Sequence, residues 1–242
     1  MNKKYQELET EDENLLYWFE HNVDIGNRTI YMGSTNVNAD GESGVDASMV
    51  EYFIKGLHIL EMQSPDEKVT ILMNNPGGDW YHGMAIYDAI KCSPCPTCIK
   101  VYGYAMSMGS IILQAAEERI MMPNSKFMIH YGTEGFSSHP KIVESWMEEG
   151  KKNNMTMEDV YLESMMRVDP SILKENLNSL VNRVRSKEVP PGKKVNFKLS
   201  KKKIDRKEEL RAILRELLNF DTILSADETV ELGLADEVFR KR

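Results

Sequence analysis

Two spacings of apolar residues alternate along the first half of the chain. "RTIYMG" (28–33) is a short strand-like run that ends at Gly33, and the polar "STNVNADGESG" after it is a loop. In "DASMVEYFIKGLHILEM", Met49, Tyr52/Phe53, Leu57 and Leu60 recur at helical spacing on one side. "KVTILMNN" is a nearly continuous apolar run, the pattern of a strand covered on both faces of a parallel sheet. "PGG" breaks it, "WYHGMAIYDAIK" is helical again, "TCIKVYGY" is a strand and "SMGSIILQAAEE" a helix. "RIMM" and "KFMIH" then flank the turn "PNS" as short strands. Strand and helix alternate from Arg28 to His130, which predicts right-handed crossovers and an α/β fold of repeated βαβ units on a parallel sheet.

Beyond this region the pattern changes. A long helical segment is expected over roughly His139–Met166. The tail "ILSADETVELGLADEV" carries a capping box, Ser225 with Glu228 three positions on, and predicts a short helix stopped by Gly233 before a last strand. Residues 1–26 read as an acidic N-terminal arm with one helical stretch around Leu15–Phe19, and 27–242 as one domain. Within that domain a basic segment at about 170–215 stands out. Arg183–Arg211 holds twelve Lys or Arg against four acids, although the whole chain has a net charge of −8. "VPPGKK" inside it is a turn signal, and the segment is expected to be an appendage to the core.

Composition narrows the function. The 242 residues suffice for one sizeable core. The negative balance argues against a general nucleic-acid binder, and the basic segment has no aromatic interleaved beyond Phe197, so docking on an acidic protein face is the expectation for it. No stretch has the length of a membrane span, nor does the N-terminus have a signal-peptide pattern. A cytoplasmic protein without a membrane association is expected. All three cysteines lie in "CSPCPTC" at Cys92, Cys95 and Cys98. The spacing is part of a metal-ligand set, but there is no fourth cysteine and no histidine nearby, so reduced thiols at a Pro-containing turn are expected and no metal or other cofactor.

The chemistry centres on "VYGYAMSMGS". Ser107 stands between a strand end and a helix start, where free N–H groups and the helix dipole stabilise an oxyanion. The Met108 amide is the nearest donor. The "NNPGGDW" turn ends a neighbouring strand and offers a second, with Gly77 and Gly78 allowing close backbone approach. His130 ends the strand "KFMIH" and could serve as a base, and Asp221 precedes the apolar Ile223–Leu224 on a constrained turn. Each has an ordinary structural alternative: a helix cap, a structural histidine, a plain turn, a surface acid. The sixteen methionines have one too, as adaptable core filler, with Met108 a candidate for both packing and substrate contact.

Taken together, "NNPGG", "GMAIYDAI", "GYAMSMGS", "PNSKFMIH" and "DTILSADETVELGLADEV" resemble the proteolytic subunit of Clp protease. The resemblance covers roughly Arg28–Tyr131 and Asp221–Val238, about half of the chain. It implies a ClpP/crotonase-like α/β fold with a projecting handle helix. It also implies a serine endopeptidase with Ser107 as nucleophile, His130 as base and acid, Asp221 as orienting acid, and the amides of Gly78 and Met108 as the oxyanion site. The implied partners are unfolded polypeptide substrates, further copies in a homo-oligomeric ring, and a separate AAA+ ATPase unfoldase, since the chain has no G-x-x-x-x-G-K-[ST] loop. The chain departs from the pattern at Met106 beside the serine, at Tyr131-Gly132 after the histidine, in the loosely kept "GTEGFSSHP", and in the longer stretch between His130 and Asp221.

Three other functions fit parts of the pattern. A crotonase-type acyl-CoA enzyme shares the fold and the glycine–helix oxyanion logic without needing Ser107, His130 and Asp221 together. An α/β-hydrolase fits less well, because A-M-S-M-G is not G-x-S-x-G and the acid follows the histidine. A catalytically silent ring subunit would keep the fold and lose the chemistry.

Overall fold

The computed structural model describes residues 15–33, 44–132, 135, 138–185, 198 and 200–241. The first part of the N-terminal arm, most of the polar loop before Gly44, most of "GTEGFSSHP" before Ser138 and the "VPPGKK" turn lie outside the described residues. The described chain forms two units, one from Met1–Ser125 with Phe239–Arg242 and one from Lys126–Val238.

In the first unit, a helix over residues 15–21 (α1) precedes the short β1 (Val23–Asp24) and then β2 (Thr29–Gly33). Helix α2 (Ala47–Gln63) begins at Asp46, whose carboxylate accepts from the Met49 amide, and buries Met49, Phe53, Leu57 and Leu60 as its spacing predicts. The guanidinium of Arg28 closes the other end of α2, donating to the carbonyls of Leu60 (3.0 Å) and Ser64 (2.8 Å). Strand β3 (Val69–Asn75), helix α3 (Trp80–Lys91), strand β4 (Thr97–Met106), helix α4 (Met108–Leu113) and strand β5 (Glu118–Met121) follow. Within this unit the strand order is β1-β2-β3-β4-β5, parallel from β2 to β5 with β1 antiparallel at the edge. Ile30, Met32, Ile71, Met73, Ile99 and Val101 are fully buried. The fold class is therefore the expected α/β one. Helix α4 is shorter than "SMGSIILQAAEE" suggests and ends at Gln114. Gln114 instead accepts a hydrogen bond from Arg119 on β5 (2.7 Å).

In the second unit, β6 (Lys126–Ile129) pairs antiparallel with β7 (Thr222–Ser225). Between them run α5 (Pro140–Met165), α6 (Pro170–Arg185) and α7 (Lys203–Leu218). Helix α5 is the long one expected, about 39 Å at helical rise. Its second half buries Met157, Val160, Tyr161, Leu162 and Met165, whereas Ile142, Trp146 and Met147 in its first half are exposed. The basic region contains packed structure at both flanks. Leu173, Leu177, Leu180 and Val181 of α6 are buried, as are Leu210, Ile213, Leu214, Leu217 and Leu218 of α7. An appendage outside the core can thus involve only residues between these two helices. Ser225 and Glu228 form the predicted capping box at the start of α8 (Ala226–Glu231), Gly233 follows at φ 74, and β8 (Glu237–Val238) ends the unit.

Candidate active site

Ser107 occupies the single residue between β4 and α4. Its backbone has φ 49 and ψ −123, a conformation that side chains rarely adopt. Such strain persists only when neighbours hold it, and it gathers at functional sites. The Ser107 carbonyl is held by the amide (3.0 Å) and hydroxyl (2.6 Å) of Ser110. Gly77, at φ 106, packs directly on the serine. A Cβ there would lie 2.5 Å from the Ser107 Cβ and 3.0 Å from the Met108 amide nitrogen.

The double-glycine turn is itself fixed. Asn75, fully buried at the end of β3, accepts the Gly77 amide on its side-chain oxygen (2.8 Å). Val45 donates its amide to the Gly77 carbonyl (2.6 Å) and accepts the Asp79 amide (2.9 Å), bridging in parallel to Gly78. In that pairing the flanking groups are used and the N–H of Gly78 itself points to the opposite side. Asn75 also packs on α4, where a Cβ on Gly109 would meet its carbonyl oxygen at 2.9 Å. Sequence reading missed Asn75; its signal is an uncharged polar residue closing an otherwise apolar strand. Met108 is 3% exposed and its side chain packs on Gly83, so its sulfur belongs to the interior and its amide is what the site can use.

In the second unit, His130 follows β6 and Asp221 precedes β7. The ladder pairs Met128 with Ile223 and Ile129 with Thr222, so the next cross-strand position sets His130 against Asp221. Strand alternation buries Phe127, Ile129, Thr222 and Leu224 and turns the histidine and aspartate to the other face. The His130 Nδ1 lies 3.0 Å from an Asp221 carboxylate oxygen. The aspartate side chain is 72% exposed and that of the histidine 23%. Tyr131 is anchored next to them: its amide donates to the Leu218 carbonyl at the end of α7 (2.7 Å), and its hydroxyl to Glu158 on α5 (2.7 Å).

Among the described residues no cluster of three or more histidine, cysteine or acidic groups could hold a metal ion. Cys92 is exposed; Cys95 and Cys98 are buried. The Cys95 thiol donates to the Ser64 carbonyl (3.4 Å), and burial raises the Cys98 thiol above its ordinary range.

These features define an α/β protein with a strained serine at the carboxyl edge of a parallel sheet, a glycine turn seated on it, and a bonded histidine–aspartate pair. A sequence model of Clp protease matches residues 36–179, and the chain belongs to the Clp protease family. It is similar to the ATP-dependent Clp protease proteolytic subunit of Deinococcus radiodurans, with 35% identity over 119 residues, 48% of this chain and 58% of that protein. The chain thus matches little more than half of the length of that curated relative. No helix among the described residues is long and apolar enough to cross a membrane.

Proposed function

We propose that the chain is a serine endopeptidase acting on unfolded polypeptides through an acyl-enzyme. The single observation that carries this reading is the strained backbone of Ser107 against Gly77. In this mechanism the His130 Nε2 takes the proton of the Ser107 hydroxyl as the oxygen attacks the peptide carbonyl. Asp221 holds the Nδ1 proton and stabilises the imidazolium. The amides of Gly78 and Met108 receive the oxyanion. His130 then protonates the leaving amine, and water repeats the sequence on the ester to release the second product.

The assembly expected of such a peptidase is a ring of copies supplied by a separate AAA+ ATPase unfoldase, in the cytoplasm. Support comes from the family and from the exposed Ile142, Trp146 and Met147 on α5, a surface suited to another copy. The exposed Asp221 carboxylate favours one second reading, a ring subunit silent on its own, because a solvated acid orients a histidine weakly.

Replacing Ser107 with Ala tests the proposal. Turnover of a short fluorogenic peptide should disappear while the circular dichroism spectrum and melting temperature stay the same. Wild-type turnover in that variant would remove Ser107 from the mechanism. A purified wild-type chain without turnover that gains it with a second ring subunit would favour the silent reading.

A further inference from the structure

Glu158 is a carboxylate in the apolar stripe of α5, 2% exposed, and it accepts four hydrogen bonds. One oxygen takes the Tyr131 hydroxyl (2.7 Å) and the Arg215 Nε (2.9 Å). The other takes Arg211 (2.8 Å) and the second nitrogen of Arg215 (3.0 Å). Neighbouring Asp159 binds Arg211 (2.6 Å) and Lys207 (3.1 Å). Burial alone would raise the Glu158 carboxyl, but the bonds from Arg215, Tyr131 and Arg211 outweigh it and hold the group below the ordinary carboxylate range. An acid with every acceptor site engaged in this way is a rigid junction.

The junction joins the segments that carry both members of the His130–Asp221 pair. Tyr131 is the residue after His130. Arg211 and Arg215 lie on α7, and Asp221 comes three residues after its end at Leu218. Beyond Glu158, the same segments are tied by the Tyr131 amide to the Leu218 carbonyl (2.7 Å) and the Thr222 hydroxyl to the Leu217 carbonyl (2.7 Å). The histidine is therefore held from the Ile129–Thr222 ladder on one side and from Tyr131 on the other. Arg211 and Arg215 lie beyond the residues 36–179 matched to the family.

We propose that Glu158, acting through Tyr131 and Arg215, is a positioning residue that sets the His130–Asp221 hydrogen bond. Its role in catalysis rests on the peptidase reading above; its role in the geometry does not. The two are separated by reading the His130 tautomer in the full chain, with selectively ¹⁵N-labelled histidine and His130→Gln for assignment. A neutral imidazole in water favours the proton on Nε2, so Asp221 must hold it on Nδ1.

In Tyr131→Phe, which removes one hydroxyl, and in Arg215→Met, at a half-exposed side chain, the His130 signal should move from the Nδ1–H toward the Nε2–H form. For peptide cleavage, kcat should fall about tenfold with KM within about twofold, because the base is displaced and the substrate contacts are not. Tyr131→Phe and Glu158→Gln should be non-additive. An unmoved tautomer in both Tyr131→Phe and Arg215→Met, or a change confined to KM or to melting temperature, would overturn the proposal. A moved tautomer in a chain whose turnover survives Ser107→Ala would keep the junction and reject the peptidase reading instead.

Discussion

Ser107 holds a backbone conformation that glycine would adopt more easily. The neighbour that permits it is Gly77, which has no room for a side chain: a methyl group there would sit 2.5 Å from the Ser107 Cβ. Gly77→Ala must therefore displace the serine, the turn or both. Displacement of a reacting group by about 1 Å costs on the order of 100-fold in rate, so peptide turnover should fall at least that far while the chain still folds. Peptidase kinetics beside a thermal melt check this; wild-type kcat in Gly77→Ala would mean that the serine does not need its present position. Serine, histidine and the glycine turn were legible in the sequence because each closes an apolar strand. Asn75 was not, since nothing in the spacing says that its side chain turns back onto the Gly77 amide.

At the scale of the elements, apolar period made α2, β3, α3 and β4 legible, while charge concealed α6 and α7. In α7, Leu210, Ile213, Leu214, Leu217 and Leu218 repeat at three- and four-residue steps and are buried, yet Lys and Arg dominate the composition around them. The two helices predict different tolerances. Replacing residues 186–199 with a Gly/Ser linker should leave a folded chain that still cleaves short peptides, whereas deleting Lys203–Leu218 should abolish soluble folded protein. Limited proteolysis and yield of the two variants decide the matter, and loss of folding in the linker variant would make the intervening residues part of the core.

The junction on α5 gives a pH prediction. Glu158 is held below its ordinary value of 4.5, so in the folded state it binds protons less readily than in the unfolded chain. Its stabilisation is fully present above the ordinary value and is lost as pH falls through the lowered one. Glu158→Gln should flatten the acid limb of the stability curve below about pH 5 relative to wild type. Glu158→Ala, which removes the carboxylate bonded to Tyr131, Arg215 and Arg211 and leaves Arg211 only its bond to Asp159, should cost about 2 kcal/mol at neutral pH. Urea melts across pH read both, and parallel acid limbs in wild type and Glu158→Gln would contradict the assignment.

For the whole molecule, the first unit carries the strained serine and the second the histidine and aspartate. The meeting of His130 with Asp221, 91 positions apart, could not be derived from spacing and was implied only by the family resemblance; the β6–β7 register supplies the physical reason. Ring assembly remains a proposal carried by one surface. Ile142, Trp146 and Met147 are each about half exposed on the first half of α5, more apolar area than a solvated helix needs. The chain should therefore sediment as an oligomer at micromolar concentration, and Trp146→Glu should lower its mass. A monomeric wild-type chain in both low and moderate salt would contradict the ring.

Whether Ser107 is a nucleophile driven by His130 is decided by treating the intact chain with a fluorophosphonate and mapping the adduct by mass spectrometry. A single stoichiometric adduct on the Ser107 hydroxyl is expected, its formation slowed by about 100-fold or more in His130→Ala. No adduct on Ser107, or equal labelling rates with and without His130, would contradict that role.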